Sequence, residues 1–104
     1  MRRGVIELCI LSILAEKEAY SSDIITKLKE AKFIVKEGTV YPLLSRLKNS
    51  GLLEYRWLES DQGPPRKYYQ VTETGKLFLT ELKGTWDHLV QAVNNSTKNI
   101  TTNE

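Results

Sequence analysis

The stretch Glu37-Gly-Thr-Val-Tyr-Pro-Leu-Leu-Ser-Arg-Leu-Lys-Asn-Ser-Gly51 leaves this chain few choices. Val40, Leu43, Leu44 and Leu47 stand at i, i+3, i+4 and i+7, which makes one apolar stripe on a helix. The opposite face carries Gly38, Pro42, Ser45 and Asn49, flanked by Tyr41 and Arg46. Such a helix buries its leucine side and offers a small, polar, lightly basic side to a groove. Proline at position 42 is expected in the first turn, where backbone N–H groups lack intrahelical partners anyway. Gly51 supplies the left-handed residue that ends the helix. The stretch therefore reads as a DNA recognition helix.

Around it the chain is organised as one small unit. A chain of 104 residues suits one domain and buries only about two-thirds of its unfolded surface. Residues 4–16 read as a helix apolar on most sides, with only Glu7, Ser12 and Glu16 to face water, so it needs cover on more than one side. Residues 17–20 form a turn, and Ser21 or Ser22 caps a second helix buried through Ile24, Ile25 and Leu28. Two short helices, the second reading outward, make a helix-turn-helix.

The period then changes. Leu53, Tyr55 and Trp57 alternate with Glu54, Arg56 and Leu58, which predicts a strand. Ser60-Asp-Gln-Gly-Pro-Pro65 is turn chemistry, and Arg66–Val71 is the returning strand, so the two strands form a wing. Thr72 caps the last helix, on which Leu77 and Phe78 are expected to fold back onto the domain. Beyond them Leu82, Trp86, Leu89 and Val93 are spaced 4, 3 and 4, a heptad seam that predicts a dimer interface. The fold expected is mostly α with a small β-hairpin. Residues 1–71 are a winged helix-turn-helix domain, residues 72–95 a C-terminal dimerisation helix, and residues 96–104 a flexible tail.

Charge and chemistry narrow the function. Residues 1–71 hold 12 Lys/Arg against 9 Asp/Glu, a net of +3, and residues 72–104 hold 3 against 4, a net of −1. A basic front half fits phosphate binding. The single cysteine, Cys9, rules out an internal disulfide, reads as a small buried hydrophobe, and favours a cytoplasmic setting. No signal peptide is evident, and the apolar run 8–15 is too short to span a bilayer. There is no metal-ligand cluster, Gly-rich phosphate loop or nucleophile elbow, so neither an enzyme nor a cofactor is expected.

Within the interface, Thr39 and Tyr41 are expected to donate hydroxyl hydrogen bonds to phosphates. Arg46 either reaches a guanine edge or pairs with Glu54 inside the domain. Lys36, Arg66 and Lys67 flank the groove-facing elements, and one of Tyr68 and Tyr69 is a core residue while the other is exposed. The rival function is a winged-helix protein-interaction module that never binds DNA.

Four motifs in order carry a resemblance. Gly38-Thr-Val-Tyr-Pro-Leu-Leu-x-Arg-Leu47, Gly51-Leu52, Gly63-Pro-Pro-Arg-Lys-Tyr-Tyr69 and Thr72-x-x-Gly75 together resemble the PadR family of bacterial transcriptional regulators, in its smaller subfamily with a single C-terminal helix. The match spans residues 4 to about 93. The resemblance implies a homodimeric repressor whose DNA contacts include Lys36, Gly38, Thr39, Tyr41, Pro42, Ser45, Arg46, Gly63, Pro64, Arg66 and Lys67. It also implies a site for a small planar aromatic effector at the dimer centre, formed by Trp86 and Val90 with Ile6 or Cys9. Lys48 departs from the family pattern, which usually has an acid there.

Overall fold

The computed structural model describes residues 2–60 and 63–100. Four helices and three strands follow in the order α1 (Arg2–Glu16), β1 (Ala19–Tyr20), α2 (Ser21–Glu30), α3 (Glu37–Asn49), β2 (Leu53–Ser60), β3 (Gly63–Val71) and α4 (Glu73–Thr97). Ile6, Ile10, Leu11 and Leu14 of α1 form one wall of the core. They meet Ile24, Ile25 and Leu28 of α2, the Val40–Leu43–Leu44–Leu47 stripe of α3, and Leu53 and Tyr69 from the sheet. Burying each such side chain contributes roughly 1.5–3 kcal/mol, so the α3 stripe fixes which side of that helix remains free.

The sheet holds one strand more than the alternation pattern implied. Ala19–Tyr20 pairs antiparallel with Tyr68–Tyr69, giving the order β1-β3-β2. This short strand also moves the start of α2. Tyr20, still extended, is the N-cap in place of Ser21 or Ser22, and Asp23 at N3 reaches back to accept from the Tyr20 N–H at 3.2 Å.

Both helix ends that frame α3 use one geometry. At α2, Phe33 N donates to Leu28 O and Lys32 N to Lys29 O, with Lys32 left-handed at φ 73°. At α3, Leu52 N donates to Leu47 O and Gly51 N to Lys48 O, with Gly51 at φ 81°. Each is a Schellman cap, and only the second has the glycine such a conformation favours.

Several expectations need correcting. Pro42 lies in the second turn, because the helix begins at Glu37. It therefore removes the i+4 donor of the Gly38 carbonyl on the exposed side. β3 begins at Gly63 rather than Arg66, so Gly-Pro-Pro lies within the strand, and turn residues 61–62 fall outside the described residues. The register shifts between Leu58 and Ser60, so that Pro64 and Pro65 oppose one residue, Glu59. A bulge is where a strand tolerates prolines that cannot donate. Glu7 does not face water, since its side chain is only 17% exposed.

Of the two residues expected to fold back, Leu77 does not, at 71% exposure, whereas Phe78, 39% exposed, lines a cavity with Glu7, Leu47 and Leu52 of the domain; Gly75 is buried and Leu79 packs on the core. The inward stripe of α4 is thus Gly75, Leu79, Leu82, Trp86, Leu89 and Val93, spaced 4, 3, 4, 3 and 4. α4 lies against α1. Cover falls along the stripe: Gly75 is buried, Leu79 to Leu89 are half-buried, and Val93 is 50% exposed. The helix ends at Thr97, two residues past the expected boundary, and residues 101–104 of the expected tail lie outside the described residues. Among the described residues no helix is long and apolar enough to cross a membrane.

Candidate nucleic-acid interface

With Val40, Leu43, Leu44 and Leu47 buried, α3 turns Gly38, Pro42, Ser45 and Asn49 outward. Its free surface then divides into two flanks. Thr39 and Arg46 lie on the side of α1, beside the connection that carries Lys36. Tyr41 and Lys48 lie on the side of the wing.

The α1 side is a groove of about 890 Å³ between the start of α1, residues 34–36 and α3. Ile6, Pro42 and Leu43 line it, and Arg3, Lys36 and Arg46 bring three cations to it. Arg46 is engaged there. Its Nη2 lies 2.6 Å from Oε1 of Glu7 on α1, not at Glu54, whose Oε1 instead accepts from the Gln70 amide. Arg3 approaches the same Glu7 oxygen at 3.9 Å. Burial pushes the Glu7 carboxyl above its ordinary range, and Arg3 pulls it back. Arg46 thus joins α3 to α1 while its head stays partly exposed, at 36%.

The wing alternates, so its two cations part company. Arg66 points to the face shared with Arg56 and Tyr68. Its guanidinium sits 4.3 Å from the centre of the Tyr20 ring and donates to the Ser22 hydroxyl. Arg56 on that face pairs with Glu18 at 3.2 Å and lies over Tyr68. These contacts fasten the wing to β1 and the start of α2. Lys67 points to the opposite face, where its ammonium lies over Tyr55 at 4.6 Å and Trp57 at 5.6 Å. Gly63 and Pro64 are exposed beside the turn. Tyr69 is buried, and Tyr68 is half-buried rather than exposed. Burial raises the Tyr69 hydroxyl, with Tyr55 and Tyr41 adding to it.

The other candidates lie on α4 and α1. Leu82, Trp86 and Leu89 are half-buried, and Val90 and Val93 are exposed. Ile6 is buried in the core at 2% exposure, and Cys9 is half-buried with its thiol raised by that burial. Lys48, Tyr55 and Trp57 are missing from the candidates read off the sequence, although they share a face with Lys67. The signal was present: Tyr41, Ser45 and Lys48 follow at i, i+4 and i+7, and Tyr55 and Trp57 fall on one side of an alternating strand. Among the described residues no group of three or more His, Cys, Asp or Glu is placed to hold a metal ion.

Three helices followed by a two-stranded wing, with the third helix facing outward beside it, define a winged helix-turn-helix of the nucleic-acid-binding kind. Comparison with known proteins is specific. Residues 10–81 match the model of the transcriptional regulator PadR-like family, and the chain belongs to that family. It is 58% identical to a PadR-like transcription factor from Bacteroides fragilis, with 91% of this chain and 92% of that one covered at a TM-score of 0.82. A PadR-like transcriptional regulator from Bacillus cereus is 42% identical, covering 91% and 93%, also at a TM-score of 0.82. A transcriptional regulator of Mycobacterium tuberculosis is 32% identical over 92 residues, 88% of this chain and 85% of that protein. The chain is a DNA-binding transcriptional regulator and not an enzyme.

Proposed function

We propose that the protein works as a homodimeric repressor on a two-fold symmetric operator in the cytoplasm. The observation that carries the reading is the fading cover along α4. A helix of 25 residues is about 37 Å long, longer than its own domain can bury. Its inward stripe keeps the 4-3 spacing to Val93 after the domain has ceased to cover it. A second copy packing α4 on α4 supplies the missing cover through Leu82, Trp86, Leu89 and Val93. Two recognition helices then stand about one DNA turn, roughly 34 Å, apart.

In this reading Gly38, Pro42 and Ser45 face the major groove, and Thr39 and Tyr41 bind phosphates. Lys36 and Arg46 approach from the α1 side, Arg46 by leaving or sharing Glu7. Gly63, Pro64 and Lys67 bring the wing to the backbone, and Arg66 joins them only by leaving Tyr20 and Ser22. A small planar aromatic effector held by Trp86 and Val90 of both copies, with Cys9 or Ile6 beneath, changes the spacing of the two heads. It lowers DNA affinity by its differential affinity for the two dimer shapes. Of the two α1 residues, half-buried Cys9 is the more accessible.

Selection from random duplexes, read together with sedimentation velocity, tests the whole reading. The expected result is a palindromic consensus with half-sites about one turn apart, bound by a dimer. Salt-sensitive binding without a consensus rejects operator recognition. No binding at any salt leaves the protein-interaction role as the better description. A monomer at micromolar concentration refutes the α4 seam.

A further inference from the structure

The wing has two faces, and their cations are engaged differently. On the outer face Arg56 is paired with Glu18, and Arg66 is seated on Tyr20 and Ser22. The inner face, turned toward α3, is different. Lys67 stands over Tyr55 and Trp57, Lys48 at the end of α3 stands 5.7 Å from the same Tyr55 ring, and the Tyr55 and Trp57 rings meet edge to face at 5.8 Å. Neither lysine takes part in an ion pair among the described residues. Trp57 is 60% exposed despite these neighbours.

We propose that Lys48, Tyr55, Trp57 and Lys67 form a DNA-contacting surface on the inner face of the wing, with the two ammonium groups on backbone phosphates and the Trp57 ring against deoxyribose. The proposal rests on the reading of α3 as the groove-facing helix and extends it to Lys48 at the end of that helix and to Tyr55 and Trp57 of β2, beside Lys67.

Three observations commit the surface to duplex DNA. The first is continuity. Tyr41, Ser45 and Lys48 follow one another along the wing-side edge of α3, and Lys48 hands the edge on to Tyr55. The second is charge. Both cations lie within cation–π distance of aromatic faces, which restrains a long flexible side chain without neutralising it. A lysine held this way loses less side-chain entropy when it meets a phosphate, so the rings act as positioning groups. The third is chemistry. The exposed Trp57 ring beside the Lys67 ammonium, with Lys48 further along across Tyr55, matches the sugar–phosphate strand, whose charged oxygens alternate with apolar sugar faces.

The test uses the full-length protein and a fluorescein-labelled duplex carrying the selected consensus, with anisotropy read between about 50 and 200 mM salt. Lys48→Ala and Lys67→Ala should each flatten the log–log salt slope by about 0.9, the share of one phosphate. Lys67→Arg should restore it. Trp57→Ala should weaken binding about tenfold, the loss expected of a truncated aromatic anchor, with the slope unchanged. Arg56→Ala on the outer face should leave the slope unchanged. Urea midpoints check that each variant is folded, and Trp57→Phe, which keeps an aromatic face, should recover most of the affinity. If wild type binds with a steep slope and neither lysine variant flattens it, the inner-face surface is wrong while DNA binding stands. If the Lys48 and Lys67 variants flatten the slope but Trp57→Ala binds as wild type does, the sugar contact is overturned. Wild type that binds no duplex at any salt overturns the DNA-facing reading itself.

Discussion

Gly75 should be the least replaceable residue of α4. A Cβ there would lie 2.1 Å from the Leu52 carbonyl oxygen and 2.7 Å from Cγ2 of Val71. The obstacle is backbone and cannot swing aside. The Leu52 carbonyl accepts from Thr72 N at 3.1 Å, and Leu52 N donates to Leu47 O at 3.0 Å as the closing bond of the α3 cap. Gly75→Ala must therefore push α4 away by about 1 Å in a junction packed as tightly as an organic crystal. The overpacking costs roughly 1–3 kcal/mol, and loosening the Thr72 hydrogen bond adds roughly 0.5–1.5 kcal/mol. Alanine's better helix propensity returns only about 1 kcal/mol. The net expectation is a loss of about 1–3 kcal/mol, or on the order of 10 °C in Tm for a chain this size. Gly84 is the built-in comparison. It lies in the same helix, but nothing stands within 4 Å of its Cβ position. Gly84→Ala should keep the helix gain and stabilise by up to about 1 kcal/mol. Urea unfolding at one fixed protein concentration reads both. A Gly75→Ala midpoint equal to or above wild type would refute the close-approach argument.

Four smaller perturbations probe other joints. Thr72→Ala removes the hydroxyl that accepts from Gly75 N at 2.9 Å and donates to Gly51 O at 2.7 Å, and should cost about 1–2 kcal/mol by urea unfolding. Lys32→Gly should stabilise by up to about 1 kcal/mol, because φ 73° strains a residue with a Cβ. The Glu7 carboxyl is raised above its ordinary 4.5 by burial, so its contribution is greatest where it is protonated in both states and is lost as pH rises through the folded-state value. Unfolding Glu7→Gln beside wild type across pH 4 to 7 should show wild type losing ground to the variant as pH rises over the window just above 4.5; wild type gaining on the variant as pH rises would reverse the sign of this argument. Leu89→Ala should raise the dimer dissociation constant at least about tenfold, as read by sedimentation equilibrium, and an unchanged constant would remove Leu89 from the seam.

The parts of the fold legible in the sequence are those where periodicity and end chemistry agree. The α3 stripe, the alternation of β2 and the Thr72 cap each combine a repeat with a terminating residue, and each stands where expected. β1 was not legible because two residues cannot show a period, and its existence depends on Tyr68–Tyr69 arriving from almost fifty positions away. Leu77 misled for the opposite reason. It is large and apolar, but its phase on α4 is wrong, and the burial follows the phase. Carrying the 4-3 spacing of the seam backward from Leu82 leads to Leu79 and then Gly75, so the inward stripe was available from spacing alone.

Site residues divide the same way. Spacing assigned the outward side of α3 to Gly38, Pro42 and Ser45, because a helical face follows from angle alone. It could not choose a partner for Arg46. Glu54 lies only eight positions on in the chain, but it belongs to the outer side of β2, where Gln70 takes it. Glu7 lies 39 positions back, yet α1 and α3 both line the core, which brings the two charges to 2.6 Å. The same reasoning separates Arg66 from Lys67. They are neighbours in a basic dipeptide and read together as one patch, but a strand sends successive side chains to opposite faces. One therefore fastens the wing to α2, and the other looks across to Tyr55, the ring that Lys48 at the end of α3 also approaches. A count of positive charge near a turn does not measure what a wing can offer to DNA; the parity of each residue in the strand does.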